Sequence, residues 1–397
     1  MHEPFVSEAP VRTSRILGRC VGSAPGPTVL ALAAVHGNEP AGVRAAERVL
    51  AALRQRARDL RGEVVFVLGN LTAFARHVRY VDADLNRAWT PERVARARGP
   101  GVEAEAPVES REQREILAAI GEVVESARGP LYFVDMHTSS AEGPPFLTVG
   151  DTLRNRSFAR SFPVPVILGL EEQIDGSLLE FLNERGFVTL GVEAGQHDAP
   201  QSVERLEAVL WLALVTTGIV EAGTLSELGR FRTLLRDASR GVPTVVEVRY
   251  RHRIDPGDQF RMEPGFVNFQ WVQKGQLLAR DEHGLVLSQY RARILLPLYQ
   301  GQGDDGFFLT RDVHPFWLGV STVVRRLRLA GLLRALPGVR RDRSRQGALV
   351  VDTRVARAFP LEVFHLFGYR KVRWTGRDLV VSRRPFDLAA PPRVEAP

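Results

Sequence analysis

His36 and Glu39 stand three positions apart just beyond the apolar run TVLALAAV (28–35), with Gly37 and Asn38 between them and Pro40 behind. A second apolar run, LYFVDM (131–136), ends at His137, and a third, FVTLGV (187–192), ends at Glu193. Two imidazoles and one carboxylate form the donor set of several catalytic zinc sites, which keep a fourth position for water. Zinc lowers the pKa of that water to near 7 and polarises a bound carbonyl. Glu193, buried at a sheet edge, would have its pKa pushed upward, as suits a general base near neutrality. The plainer readings are a surface pair for His36 and Glu39 and a cap for the helix near Ser202 for Glu193. Asp135 is assigned to the opposite face of its strand from His137. It stays outside the ligand set, either orienting a ligand or packing beneath the site.

Groups this far apart in sequence converge only if their runs are neighbouring strands. Each run is short, apolar throughout and bounded by Gly or Pro, the pattern of strands buried on both faces of a parallel sheet. EVVFVL (63–68) is a further strand of that kind. Ligands of open α/β sheets bind outside the carboxyl ends of the strands, where these side chains fall. Residues 40–60, 111–127 and 202–220 carry apolar positions at helical spacing and cover the sheet. Between them, NLTAFARHVRYVDADLNRAW (70–89) lacks either period and holds Arg79, Asp82, Asp84, Asn86 and Arg87 within nine positions. Taken alone it is a solvated, salt-bridged loop. Residues 97–110 are turn-rich and acidic, and are expected to be mobile.

From about Thr224 the pattern changes to short β pieces separated by Gly, Pro and Asp, as in a compact antiparallel β domain, with the boundary before Phe231. Three units are expected: 1–224 (catalytic α/β), 225–310 (β-rich, capping the site) and 311–397 (a basic α+β extension).

Composition limits the alternatives. With 397 residues, 44% hydrophobic and 25% charged, the chain can bury a sizeable core. Cys20 is its only cysteine, which excludes an intrachain disulfide or thiolate cluster and fits a reducing, cytoplasmic setting. The N-terminus lacks the apolar core of a secretory signal. The longest apolar run, 206–220, is too short to span a bilayer. The formal charge is +7, yet of 53 basic residues only Lys274 and Lys371 are lysine, an arginine bias that does not itself indicate nucleic-acid binding. Eight arginines lie between Arg325 and Arg345. They read as a solvated helix face rather than one that touches lipid or nucleic acid. Neither a membrane nor a nucleic acid is expected as partner, and homo-oligomerisation is left open.

Four motifs carry a family resemblance. HGNEP (36–40), RYVDADLNR (79–87), VDMH (134–137) and VEAGQ (192–196) resemble, in order, those of the succinylglutamate desuccinylase/aspartoacylase family, over about residues 25–310. The resemblance implies a zinc carboxypeptidase-like α/β fold, with a mixed, mostly parallel sheet flanked by helices. A small antiparallel β domain follows, and the C-terminal extension lies outside the likeness. It further implies one zinc ion per chain on His36, Glu39 and His137, with Glu193 moving a proton from water to the departing amine. Arg79 would polarise the scissile carbonyl, and Asn86 and Arg87 would grip a substrate carboxylate. The expected activity is removal of an acyl group from a small N-acyl substrate with a carboxylate. Where aspartoacylases carry a Tyr and an Arg, SLLEFLNERGF (177–187) offers Leu179 and Asn183, with Arg185 out of step, so aspartate specificity does not follow. Tyr299 or the Phe307 pair stands near the position of a family tyrosine. A carboxypeptidase-like peptide hydrolase is the second reading. The third is a non-catalytic module that binds an anionic partner through the arginine-rich C-terminal region.

Overall fold

The computed structural model describes residues 14–99, 106–343, 347–352, 354, 361–375, 377–391 and 394–397. The apolar runs form strands β2 (Ala24–Ala33), β3 (Arg61–Leu68), β4 (Leu131–Ser139) and β7 (Val188–Gln196), which pair in parallel in the order β3-β2-β4-β7. The leading strand β1 (Ile16–Val21) adds antiparallel to β3. Alternation along these strands divides the core in two. Val29, Ala31 and Ala33 enter one cluster and Leu30 and Leu32 the other, because successive side chains point to opposite faces.

The first cluster is covered by α1 (Ala41–Arg54) and α7 (Pro200–Thr217), the second by α4 (Val108–Ser126) and α6 (Leu178–Asn183). Helix α1 has Pro40 as its N-cap and no side-chain capping bond. A cap is worth about 1 kcal/mol, whereas each fully buried Val or Leu contributes roughly 1.5–3 kcal/mol. Packing through Val43, Val49 and Leu53 therefore fixes α1.

The sheet does not stop near 224. Strand β5 (Phe146–Thr148) pairs antiparallel with β7 and parallel with β6 (Val166–Leu168), and β6 pairs in parallel with β8 (Val245–Arg253). Strands β14 (Asp305–Asp312), β13 (Ala292–Leu295) and β10 (Trp271–Val272) follow antiparallel, giving eleven strands. Only β9 (Arg261–Met262), β11 (Leu277–Asp281) and β12 (Gly284–Leu287) form the separate small antiparallel sheet expected of 225–310. The connector before Phe231 is helix α8 (Leu228–Ala238), with Phe231 stacked on Trp211 at 6.4 Å between ring centroids. The open edge of β6 is the physical reason for the continuity: its unpaired backbone groups are met by β8.

The C-terminal region forms a second antiparallel sheet of β15 (Val339–Arg341), β16 (Ala348–Asp352), β17 (Tyr369–Thr375) and β18 (Asp378–Arg383), in the order β15-β16-β18-β17. Helices α9 (Pro315–Arg326) and α10 (Leu361–Leu366) accompany it. Within the turn-rich stretch 97–110, residues 100–105 lie outside the described residues, as does Arg345.

Candidate metal centre and its cavity

Beyond β2 the backbone turns at His36–Glu39. Gly37 lies so close to helix α2 (Leu71–Arg76) that a Cβ would meet the carbonyl carbon of Ala73 at 2.1 Å, so only glycine lets the turn settle there. The turn brings His36 Nδ1 to 2.7 Å from Glu39 Oε1, while His137 Nδ1, from the end of β4, lies 3.1 Å from Glu39 Oε2. One ligand atom from each of the three residues lies within 4.8 Å of the others, and all three side chains are buried. This is the geometry of a group able to hold one metal ion.

The outer nitrogens of the two imidazoles are also engaged. Nε2 of His36 is 3.3 Å from Asp84 Oδ1, and Nε2 of His137 is 3.1 Å from Asp135 Oδ2. A carboxylate behind each ring leaves Nδ1 for the ion and fixes which nitrogen carries the proton. The donor set thus fits a divalent cation. Burial would raise the Glu39 pKa, but His36 and His137 hold it well below the usual carboxylate range. Burial likewise opposes charge on His137, and Asp135 and Glu39 outweigh it, so its pKa is well above the ordinary value. The assignment of Asp135 to the far face was wrong. Residues two apart on a strand share a face, and Asp135 sits beside His137 for that reason.

The polar loop is only partly solvated: His77 and Asp82 are exposed, but Asp84 and Leu85 are buried. Glu109, in the first turn of α4, accepts from the backbone N–H groups of Val81 (2.7 Å), Asp82 (3.1 Å) and Ala83 (3.2 Å). Gln302 accepts from the Arg79 N–H at 3.1 Å. A loop with buried backbone donors needs such partners, and they hold Arg79, Asn86 and Arg87 against the cavity. Arg79 Nη2 donates to Asp84 Oδ2 at 2.8 Å; burial opposes its charge, and Asp84 and Glu39 keep it protonated. Asn86 Nδ2 is 3.5 Å from His137 Nε2, and its Oδ1 accepts from Leu178 N–H at 3.1 Å. Arg87 Nη2 donates to Asp305 Oδ2 at 2.6 Å, while its Nε is buried and unpartnered.

Glu193 is the register partner of His137 across β4 and β7, and it lines the same cavity. Its Oε2 is buried without a hydrogen-bond partner, and it caps no helix, since α7 begins at Pro200 with Ala199 as N-cap. Burial pushes its pKa up to about 8; Glu39 and Asp135 act in the same direction, against His137 and Arg79.

The cavity measures about 150 Å³, and Leu296, Pro297, Leu298 and Gln300 are among the residues that line it. Leu179 lines it; Asn183 instead accepts from Asn155 at 2.9 Å, and Arg185 lies over the Phe181 ring at 3.5 Å. Tyr299 is turned away, its hydroxyl donating to Glu263 O at 3.0 Å, and Phe308 rather than Phe307 reaches the wall. Sequence reasoning gave Asp84, Glu109 and Asp305 no role. Asp84 alone had a signal, its place two positions before Asn86 in the polar loop.

Residues 25–208 match the description "Succinylglutamate desuccinylase/Aspartoacylase catalytic domain". No curated protein sequence matches the chain. Among solved structures, a succinylglutamate desuccinylase/aspartoacylase from Rhodobacter sphaeroides superposes with TM-score 0.55 at 18% identity, covering 75% of this chain and 88% of its own. The product-bound ectoine utilization protein from Ruegeria pomeroyi gives 0.53 at 19% identity, with 73% and 86% covered. A succinylglutamate desuccinylase from Silicibacter sp. gives 0.51 at 18%, again with 73% and 86% covered. At such identity the superpositions speak for the fold, and the sequence match is a likeness over residues 25–208. Residues 25–208 therefore resemble the catalytic domain of the succinylglutamate desuccinylase/aspartoacylase family.

Proposed function

We propose that this chain is a zinc-dependent amidohydrolase that removes the acyl group from an N-acyl amino acid or a related small amine. The convergence of His36, Glu39 and His137, with Glu193 alongside, is the observation that carries this reading. Zinc on the three ligands would polarise the amide carbonyl and acidify a water. Glu193 Oε2, free of any hydrogen bond, takes the proton of the attacking water and passes it to the leaving nitrogen as the C–N bond breaks. The Arg79 guanidinium stabilises the negative charge that develops on the carbonyl oxygen. Asn86 and Arg87 hold the substrate carboxylate, the unpartnered Arg87 Nε–H being one donor. The limited cavity favours a small substrate over an extended peptide. Cytoplasmic residence belongs to the same reading.

The test is direct. Protein stripped with a chelator is titrated with zinc, and in parallel with cobalt and manganese, then offered a panel of N-acyl amino acids with released amine as the readout. Activity that rises to a plateau at one equivalent of zinc is expected. Binding of zinc at these residues without amine release from any member would reject the activity, and no zinc binding would reject the site.

A further inference from the structure

Helix α9 carries apolar residues on both sides. Its protein-facing side sets Leu318 against the main core beside two buried polar groups: Arg325 is 1% exposed and pairs with Asp151 at 2.8 Å, and the Ser321 hydroxyl donates to Leu366 O at 2.9 Å. The opposite side carries Phe316 and Val323, with Leu327 just beyond the helix, at intervals of seven and four that place them in one stripe. Phe316 is 61% and Leu327 63% exposed. Trp317 packs edge-on against Phe316 at 5.3 Å between centroids, and Leu329 and Leu332 continue the exposed apolar surface.

Along this segment the charge has a single sign, and the nearby carboxylates of Asp312 and Glu362, beside Trp317, are paired with Arg293 and with Arg249 and Arg311. From Val313 to Arg341 the sequence holds no Asp or Glu. Arg326, Arg328 and Arg334 are exposed, and none forms an ion pair among the described residues. The expected solvated arginines are seen at Arg326, Arg328 and Arg334 but not at the buried Arg325, and exposed apolar side chains stand among them.

We infer that this surface docks on an anionic phospholipid bilayer. Aliphatic and aromatic side chains enter the boundary between headgroups and acyl chains while the guanidiniums meet lipid phosphates. An isologous dimer through this face would bring the like-charged arginines of two copies together. A nucleic acid would use the arginines and the aromatic rings but leave the exposed leucines and Val323 in water. No described helix is long and apolar enough to cross a membrane, so the contact is a surface one.

The test uses the full chain and sonicated vesicles, either equal parts phosphatidylglycerol and phosphatidylcholine or phosphatidylcholine alone. Co-sedimentation with the anionic vesicles only, weakened by added salt, is expected, with a blue shift of tryptophan emission that Trp317→Phe removes. Phe316→Ser with Leu327→Ser, and separately Arg326→Glu with Arg328→Glu, should each lower vesicle affinity roughly tenfold or more while keeping the wild-type melting temperature. Equal affinity for both vesicle types, or no affinity for either, overturns the inference on the wild-type chain alone. So does undiminished binding by the Phe316/Leu327 variant, which would mean surface charge without insertion. Self-association or RNA binding that answers to these substitutions while vesicles are ignored would assign the face to that partner instead.

Discussion

Asp84 Oδ1 lies 3.3 Å from Nε2 of His36, on the side of the ring away from Glu39. Through Oδ2 the same carboxylate receives Arg79 Nη2 at 2.8 Å. One side chain thus sets the orientation of a metal ligand and the position of the guanidinium that the proposed reaction places at the carbonyl oxygen. Asp84→Asn is expected to weaken zinc binding about 10–100-fold, measured by competition with a chromophoric chelator, and to lower kcat as well. Unchanged zinc affinity would show that the ring is held without Asp84.

Glu193 separates chemistry from metal binding. Its carboxylate is not among the clustered ligand atoms, so Glu193→Gln should keep one equivalent of zinc and lose about 10²–10⁴ in kcat. His36→Ala should lose the metal itself. A glutamine variant with near-normal turnover would remove Glu193 from the proton-transfer role.

Much of this centre is readable in the chain. The runs ending at His36, His137 and Glu193 are buried strands whose apolar character has no other good explanation, and parallel strands exit on one edge. Asp84 and Glu109 were less legible because a carboxylate that accepts from a ring or from backbone N–H groups leaves no periodic trace. The role of Asp305 depends on β14 joining the main sheet, a long-range pairing that composition near 224 concealed. The outward apolar face of α9 was hidden by its own pattern. Apolar spacing in a helix says that one side differs from the other, and not which side meets the protein.

Arg87 is balanced by Asp305, which also receives Arg251. If Arg87 recognises a substrate carboxylate, that anion must share the guanidinium with Asp305. Arg87→Lys removes the planar fork but keeps the charge. KM for an N-acyl amino acid is expected to rise at least about tenfold, the loss of one charge-assisted hydrogen bond. The same substitution should change KM little for the matching N-acyl amine without a carboxylate. An equal rise for both substrates would make Arg87 a structural partner of Asp305 only.

The C-terminal extension is fastened to the catalytic region by buried ions whose titration can be followed. Burial favours a protonated Asp151, but Arg156, Arg325 and Arg370 hold its pKa well below the usual range. Glu247 is likewise lowered against burial, by His365, Arg370 and Arg311. Burial and Arg370 both push His365 down, yet its hydrogen bonds to Glu172 and Glu247 leave its pKa above the ordinary value. The two carboxylates stabilise the fold above their unfolded pKa of about 4, and that contribution is lost as pH falls toward the folded values. The His365 contribution is complete below its unfolded pKa of about 6.5 and is lost as pH rises through the raised folded value. Urea unfolding of wild type and His365→Gln should therefore differ by about 1.5–3 kcal/mol near pH 6, the worth of a hydrogen bond to a charged group. The difference should shrink steadily above about pH 6.5, while the acid limb below about pH 4 persists in both proteins. A difference that stays constant from acid to alkaline pH would mean that His365 does not titrate in the folded protein and that its contacts with Glu172 and Glu247 are those of a neutral ring.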